Sequence, residues 1–400
     1  MKNVLLIGSE LGKGGAERSI SLLSYYLEKQ QYNVTLCILS GKNRQQYYKT
    51  CENVVFIDPP EHTNITGKIN AWRYRLKKVK QLKRDLNTDV AISFLEGPDY
   101  VNVLTRKKEK IVISIRGSKT NDKEISGLKG AIRKRFLIPY LYNKAQQIVC
   151  VTNALSNELH NHFGIPQSRL KTIYNFYETE EIDRLSLEPL TNSEAKIFSL
   201  PVIVTCGRLH IAKEQDKLIR IFNMVRQKTA ARLMLLGDGE LKATHIALCH
   251  ELGLKTCDWN NDHFEEADVY FMGFQKNAFK FYKNSKVFAL TSSWEGFPNV
   301  LAEALLCKIP VVSTDCHSGP REILNISGLG ETPTTAPVSI PAGSLLPMLD
   351  VIDNARFDVW AKAILSWLSK PAPEAHYFTA LTDRFTLKAM LQQWADVIEN

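Results

Sequence analysis

The chemistry open to this chain is concentrated in one stretch, Thr291-Ser292-Ser293-Trp294-Glu295-Gly296-Phe297-Pro298-Asn299-Val300-Leu301-Ala302-Glu303. A strand pattern ends at Leu290, and Pro298 suits the first turn of a helix, where its missing N–H costs nothing. Glu295 falls in the loop, beside the free N–H groups of that helix start. Glu303 falls inside the helix, among Leu301, Ala302, Ala304 and Leu305. A carboxylate in such apolar company needs a partner. Ligand hydroxyls are one candidate, and a buried arginine is the other.

A second stretch, Cys206-Gly207-Arg208-Leu209-His210-Ile211-Ala212-Lys213, follows a strand and precedes a helix starting near Asp216. Arg208 and Lys213 can converge on one pyrophosphate, the arginine as a planar fork and the lysine as a point charge. Two solvated cations near a helix start are the plainer alternative. A third stretch, Gly12-Lys13-Gly14-Gly15-Ala16-Glu17-Arg18, lies between a strand and a helix. Glycines let the backbone approach a phosphate, and the helix start offers N–H groups and a positive dipole. A tight turn alone also explains it. A dinucleotide oxidoreductase wants an acid at the end of the second strand, for the ribose. That strand ends Leu39-Ser40-Gly41, which disfavours NAD.

Strands and helices must position these loops. Apolar runs at Val4–Ile7, Val34–Leu39, Val54–Ile57, Val90–Phe94, Ile111–Ile115 and Ile148–Val151 alternate with helical periods. A second series begins at Val202–Cys206 and continues at Leu233–Leu236, Val269–Met272, Val287–Leu290 and Val311–Ser313. Alternation of this kind implies parallel sheets covered on both faces. The spacing predicts an α/β protein of two doubly wound domains. The first spans 1–185, completed by a C-terminal helix at 385–400, and the second spans 190–380. The polar stretch from Glu178 to Ser199 reads as the connection between them. Residues 326–350, rich in Gly, Pro, Thr and Ser, read as loop.

At 400 residues, 44% hydrophobic and 23% charged, the chain suits two globular cores. No apolar run is long enough for a spanning helix, and the run after Met1 is too short for a signal peptide. The eight cysteines are dispersed with no CxxC pair, which fits free thiols in a reducing cytoplasm. Charge is lopsided: residues 1–180 carry 29 Lys and Arg against 16 Asp and Glu, whereas residues 181–400 carry 22 against 26. The first half therefore faces something anionic. Lys68, Arg73, Arg75, Lys77, Lys78, Lys80, Lys83 and Arg84 share a helical period with Ile69, Trp72, Leu76 and Val79. That helix packs its stripe on the sheet with its cations in water, or lies on an anionic membrane. Lys129, Arg133, Lys134 and Arg135, before Phe136-Leu137-Ile138-Pro139-Tyr140, make a second such surface. No nucleic-acid-binding motif accompanies the charge.

Taken together, these motifs resemble glycosyltransferase family 4. The Glu-x7-Glu spacing of Glu295 and Glu303 carries the resemblance, with Gly207-Arg208-Leu209 and Lys213, Leu236-Gly237-Asp238-Gly239, and Gly14-Gly15-Ala16-Glu17-Arg18. So do Thr314-Asp315-Cys316-His317-Ser318-Gly319-Pro320-Arg321-Glu322 and the closing Trp394 helix. The resemblance implies a GT-B fold, two Rossmann-like domains facing a cleft. It implies a retaining transferase, independent of metal and of any cofactor. A hexose or N-acetylhexosamine would pass from a nucleotide diphosphate sugar, with UDP as the leading carrier. The acceptor would be a glycan linked to polyprenyl diphosphate, in bacterial surface polysaccharide or glycoconjugate synthesis. The enzyme would sit in the cytoplasm, peripheral to the inner face of the membrane. Sugar-nucleotide binding without transfer, or epimerisation of the donor, are the alternatives.

By the same resemblance Arg208 and Lys213 hold the donor diphosphate, Glu295 holds the transferred sugar, and Glu303 holds the ribose. Backbone at Gly296, Phe297, Asn299 and Val300 faces sugar and phosphates. Gly273 and Phe274 belong to the base-binding loop. Gly14 and Gly15 approach the diphosphate from the first domain. Many family members place a histidine after the strand Ile111–Ile115, where this chain has Arg116. Arginine cannot act as a base, so Arg116 is a candidate cation for the acceptor, or a structural ion-pair partner.

Overall fold

The structure is a computed structural model describing residues 1–41, 44–61, 64–120, 127–259, 264–330, 332–349 and 352–400, without the side chains of Leu128 and Lys129. The chain forms two compact units, Met1–Phe176 with Leu387–Asn400, and Tyr177–Thr386.

The first unit is built on strands β1 (Asn3–Gly8), β2 (Asn33–Ile38), β3 (Asn53–Phe56), β4 (Val90–Phe94), β5 (Lys110–Ile115), β6 (Gln147–Cys150) and β7 (Leu170–Thr172). Among the described residues they form one parallel sheet in the order β3-β2-β1-β4-β5-β6-β7. Val, Ile and Leu fill these strands because both faces are covered. The helix Gly15–Lys29 and the returning helix Leu387–Glu399 pack on one face, and Trp394 stacks on Phe94 with ring centroids 6.0 Å apart. Burying a side chain of that size contributes about 3 kcal/mol.

In the helix Ile65–Asp85 the apolar stripe is only partly covered: Ala71 and Val79 are buried, while Ile65 and Ile69 are exposed. One cation leaves the water entirely. The Lys83 side chain is 0% exposed, pairs with Glu109 at 2.8 Å and donates to Asn102. Desolvation drives its pKa down to about 8, against the pull of Glu109.

The second unit holds β8 (Val202–Cys206), β9 (Arg232–Leu236), β10 (Thr256–Asp258), β11 (Val269–Phe271), β12 (Val287–Leu290), β13 (Val311–Thr314), β14 (Val338–Ile340) and β15 (Gly343–Leu346). Their order is β10-β11-β9-β8-β12-β13-β15-β14, parallel except for β14. Two readings of the sequence need correction here. Residues 326–350 are not all loop, because β14 and β15 extend the sheet. Composition hid them: Gly343 lies so close to the Val311 carbonyl that a Cβ would meet its oxygen at 2.4 Å, and pairing with β13 overrides the turn-like residues. Residues 178–199 are not an open connection either. They form helices Thr179–Ser186 and Asn192–Ile197 inside the second unit. Thr191 and Glu194 close the second of these with reciprocal side-chain-to-backbone bonds, a capping box.

His245 lies on the helix Lys242–Glu251 and is 2% exposed, and neither ring nitrogen has a hydrogen-bond partner among the described residues. Burial pushes its pKa below the usual 6.5, against the field of Asp216. The unfolded chain therefore takes up a proton that the folded chain refuses. This contribution to stability is complete above pH 6.5 and declines as the pH falls below it. The thermal midpoint should fall on acidification through that range, and more shallowly in His245→Leu. An equally steep fall in the variant would exclude His245 as the cause.

Candidate functional site

The candidate residues of the second unit gather where parallel strands end and helices begin, the place where such sheets bind ligands. Three backbone loops are laced together there. Gly207 N–H donates to Leu236 O at 2.9 Å, Leu209 N–H to Asp238 O at 3.0 Å, and Gly237 N–H to Gly273 O at 2.7 Å. Gly237 has φ +125°, and a Cβ on it would lie 2.1 Å from the Gly207 carbonyl oxygen. No other residue fits. The loops after β8, β9 and β11 are thus fixed relative to one another before any ligand arrives.

The loop after β12 is tied to the same frame. Ser293 N–H donates to Ala212 O at 2.9 Å, and the Thr291 hydroxyl to Lys213 O at 2.8 Å. From the β13 side, the Ser318 hydroxyl donates to the Glu295 carbonyl at 2.5 Å, and the Thr314 hydroxyl to Ser292 O at 2.7 Å. Gly319, at φ +98°, lets this loop press on Pro298, whose Cδ lies 2.3 Å from where a Cβ would stand.

Within this frame Lys213 and Glu295 meet, Nζ to Oε1, at 2.5 Å, with side chains 24% and 11% exposed. The Ser292 hydroxyl donates to the same Oε1 at 2.7 Å. The other oxygen, Oε2, receives no hydrogen bond among the described residues, so the carboxylate is aimed by one oxygen and available through the other. Ser292 was not legible as a site residue, since a hydroxyl in a loop has many uses. Arg208 points elsewhere: its guanidinium is 69% exposed and pairs with Glu240 at 3.1 Å. The Glu240 backbone N–H, with Arg208 and His210 beside it, holds that carboxyl below the usual range. No spacing or motif singles out Glu240.

Glu303 stands half-buried on the helix Asn299–Leu306. Its neighbours include the end of β8: burial pushes the Cys206 thiol up to about 12, and the Glu303 charge adds to that. Tyr282 and Cys307 feel the same charge. Phe297 does not offer its ring to a ligand. It is buried edge-on against Phe385, with centroids 5.4 Å apart. The Asn299 side chain accepts from the Tyr177 hydroxyl at 2.8 Å. Val300 lies in the first turn of the same helix, and Gly296 in the loop before it. Gly273 has φ +63°, and Phe274 beside it is 44% exposed.

In the first unit, Gly14 caps the helix Gly15–Lys29, and the Glu17 carboxylate folds back over it. Burial raises the pKa of Glu17, and Glu10 adds to the rise. Arg116 lies over the Phe94 ring, 5.2 Å from its centroid, and donates to the Ser19 hydroxyl at 2.8 Å and to Asn175 Oδ1. Both of these partners are neutral.

The chain is similar to known proteins in sequence and in fold. A family model described as Glycosyl transferases group 1 matches residues 200–339, and one described as Glycosyltransferase Family 4 matches residues 13–181. The N-acetylgalactosamine-N,N'-diacetylbacillosaminyl-diphospho-undecaprenol 4-alpha-N-acetylgalactosaminyltransferase of Campylobacter jejuni is 30% identical over 326 residues, 80% of this chain and 82% of that protein. The chain belongs to glycosyltransferase family 4. A second relative, an uncharacterized glycosyltransferase of Methanocaldococcus jannaschii, is 34% identical over 259 residues, which cover 62% of this chain and 61% of that one. Among solved structures, Anabaena HepE in complex with UDP and glucose superposes with a TM-score of 0.70 at 16% identity, over 100% of this chain and 99% of that one. The fold of this family-4 chain is accordingly GT-B, with two Rossmann-like units.

Proposed function

We propose that this glycosyltransferase moves a hexose or N-acetylhexosamine from a UDP-sugar to a lipid-linked glycan, with retention at the anomeric carbon and without a metal ion. The observation that carries the reading is the Lys213–Glu295 pair on its laced frame. It offers an ammonium for phosphate and a free carboxylate oxygen for a sugar hydroxyl within one small volume. Breaking the bond from sugar to phosphate leaves negative charge on the phosphate oxygen, and preorganised cations lower that barrier. Lys213 is in place for this, and Arg208 joins it by leaving Glu240. Glu303 takes the ribose hydroxyls, and Gly273 and Phe274 face the base. Backbone N–H groups at Gly296, Asn299 and Val300 complete the donor site, with Phe297 contributing backbone only.

Retention follows from a front-face route. The anomeric carbon loses its bond to the phosphate oxygen and gains one to the acceptor oxygen on the same face. The departing phosphate takes the acceptor's proton. Gly14 and Gly15 approach the diphosphate by family resemblance, whereas Arg116, which stands where many family members have a histidine, offers its charge to an acceptor phosphate. The Campylobacter relative is named for a diphospho-undecaprenol substrate, and HepE was solved with UDP. Both support the choice of partners and a place in surface polysaccharide synthesis.

The test is calorimetric titration of UDP-, GDP- and ADP-sugars, first in EDTA and then in magnesium. Binding of a UDP-sugar in EDTA is the expected result. Binding that appears only with magnesium removes the metal-independent reading, and no binding at all removes the donor assignment. Incubating donor alone separates transfer from epimerisation, because only an epimerase changes the donor without an acceptor.

A further inference from the structure

The two candidate phosphate-binding cations are held very differently. Lys213 is pinned. Its ammonium meets Glu295 at 2.5 Å, and its carbonyl accepts from the Thr291 hydroxyl at 2.8 Å. Its stem crosses Gly207, with Cε 3.4 Å from where a Cβ would stand on that glycine. The stem thus lies over the residue that precedes Arg208. Arg208 is loose by comparison. Its side chain is 69% exposed and rests on Glu240, with Nε and a terminal guanidinium nitrogen each 3.1 Å from Oε2. The loops therefore present one fixed cation and one that can swing.

Glu240 belongs to a rigid frame. Leu209 N–H donates to Asp238 O at 3.0 Å, and Leu241 N–H donates to Leu209 O at 3.1 Å. A Cβ on Gly239 would meet the Leu209 carbonyl oxygen at 2.4 Å. The backbone on either side of Glu240 is thus fastened to the backbone beside Arg208, and the pair can part only by side-chain rotation. The carboxylate does not depend on the arginine. It also accepts from its own backbone N–H, and His210 faces its other oxygen, with Nε2 3.6 Å from Oε1. Nδ1 of His210 accepts from Ala212 N–H at 3.2 Å, so the neutral ring carries its proton on Nε2, toward Glu240. When Arg208 leaves, the carboxylate keeps its own N–H, the edge of His210 and water.

We infer that Glu240 is the resting partner of Arg208, and that this competition sets how tightly and for how long a nucleoside diphosphate is held. Glu240 is a positioning residue, because it acts through the arginine. The inference rests on the reading that Arg208 serves the donor phosphates. A diphosphate gains Arg208 only by displacing Glu240. As the nucleotide leaves, Glu240 takes the arginine back, which opposes rebinding and speeds release. Both side chains are well exposed, so the competition is screened and amounts to a small factor. That factor falls on every turnover. Glu295 also sits on a cation, but its second oxygen is wanted for the sugar, so its removal would cost the reaction as well. Glu240 can be neutralised without touching Lys213, Glu295 or Glu303.

The experiment is a double-mutant cycle on the full chain, read by calorimetric titration of UDP and by the release rate of a fluorescent UDP analogue chased with unlabelled UDP. Glu240→Gln should tighten UDP binding by about twofold to fivefold and slow release by a similar factor. Glu240→Ala should do the same, with the thermal midpoint of both variants unchanged. In an Arg208→Ala background, Glu240→Gln should change UDP affinity by less than about 1.5-fold, because the partner through which it acts is gone. An equal gain with and without Arg208 overturns the inference, since the carboxylate would then act only by its general field. UDP affinity that neither Glu240 variant raises also overturns it. These two results leave the donor reading intact. No UDP binding by the unsubstituted chain removes the donor reading, and this inference with it.

Discussion

Glu295→Ala lowers turnover by about a hundredfold to a thousandfold, while affinity for UDP changes by less than about threefold. The split follows from what the carboxylate touches. Its Oε1 is held by Lys213 and Ser292, and its Oε2 is left for a hydroxyl of the transferred sugar. UDP has no such sugar, so its binding hardly senses the loss. The transition state does sense it, because the sugar hydroxyls must be held while the anomeric bond breaks. Fold is not at stake: the alanine leaves Lys213 24% exposed and able to reach water. Steady-state rates beside calorimetric affinity for UDP make the comparison. Near-normal turnover in the variant would remove Glu295 from the sugar, and equal losses in rate and in UDP affinity would make it a structural residue.

Lys213→Ala weakens UDP binding by about tenfold to a hundredfold and UMP binding by less than about threefold. A charge-assisted bond to the distal phosphate is what the variant lacks, and only the diphosphate has that phosphate. The variant also leaves Glu295 without its cation beside an arriving anion. Arg208→Ala should show the same preference with a smaller loss. Its guanidinium is well exposed and must first part from Glu240, so less is gained when it moves to phosphate. Titrating each variant with UDP and UMP decides the matter. Equal losses for the two nucleotides would sink the diphosphate role of Lys213.

The strands were legible because strands buried on both faces have to be nearly continuous in Val, Ile and Leu, as at Ile111–Ile115 and Val202–Cys206. The strand Gly343–Leu346 escaped because its pairing is decided by Val311, thirty-odd residues earlier, and its composition is that of a turn. The helix Asn192–Ile197 did leave a local trace, Thr191 three residues before Glu194, and was legible in principle. At the site, Lys213 and Glu295 stood out as charged residues in loops that follow strands, and Glu303 as a carboxylate among apolar helix neighbours. Glu240 and Ser292 did not. Their meaning lies in contacts to Arg208 and Glu295 across loops remote in sequence, and no spacing rule encodes such contacts. For Phe297 the resemblance speaks only of backbone, and the sequence does not say where its side chain goes. Its ring turns inward to Phe385, a neighbour nearly ninety residues away.

The second unit opens and closes at one point: Tyr177 N–H donates to the Phe385 carbonyl at 3.2 Å, and Tyr177 bridges to Thr386. It is therefore a single uninterrupted stretch, while the first unit needs Leu387–Asn400 to be whole. On the ribosome this reverses the order of completion. The unit whose synthesis starts first waits, with the apolar groove for Leu391, Trp394 and Ile398 uncovered, until the other has been made in full. During that interval the apolar surface around Phe94 lacks its cover, and a chain cut just after Thr386 carries a whole second unit joined to an incomplete first.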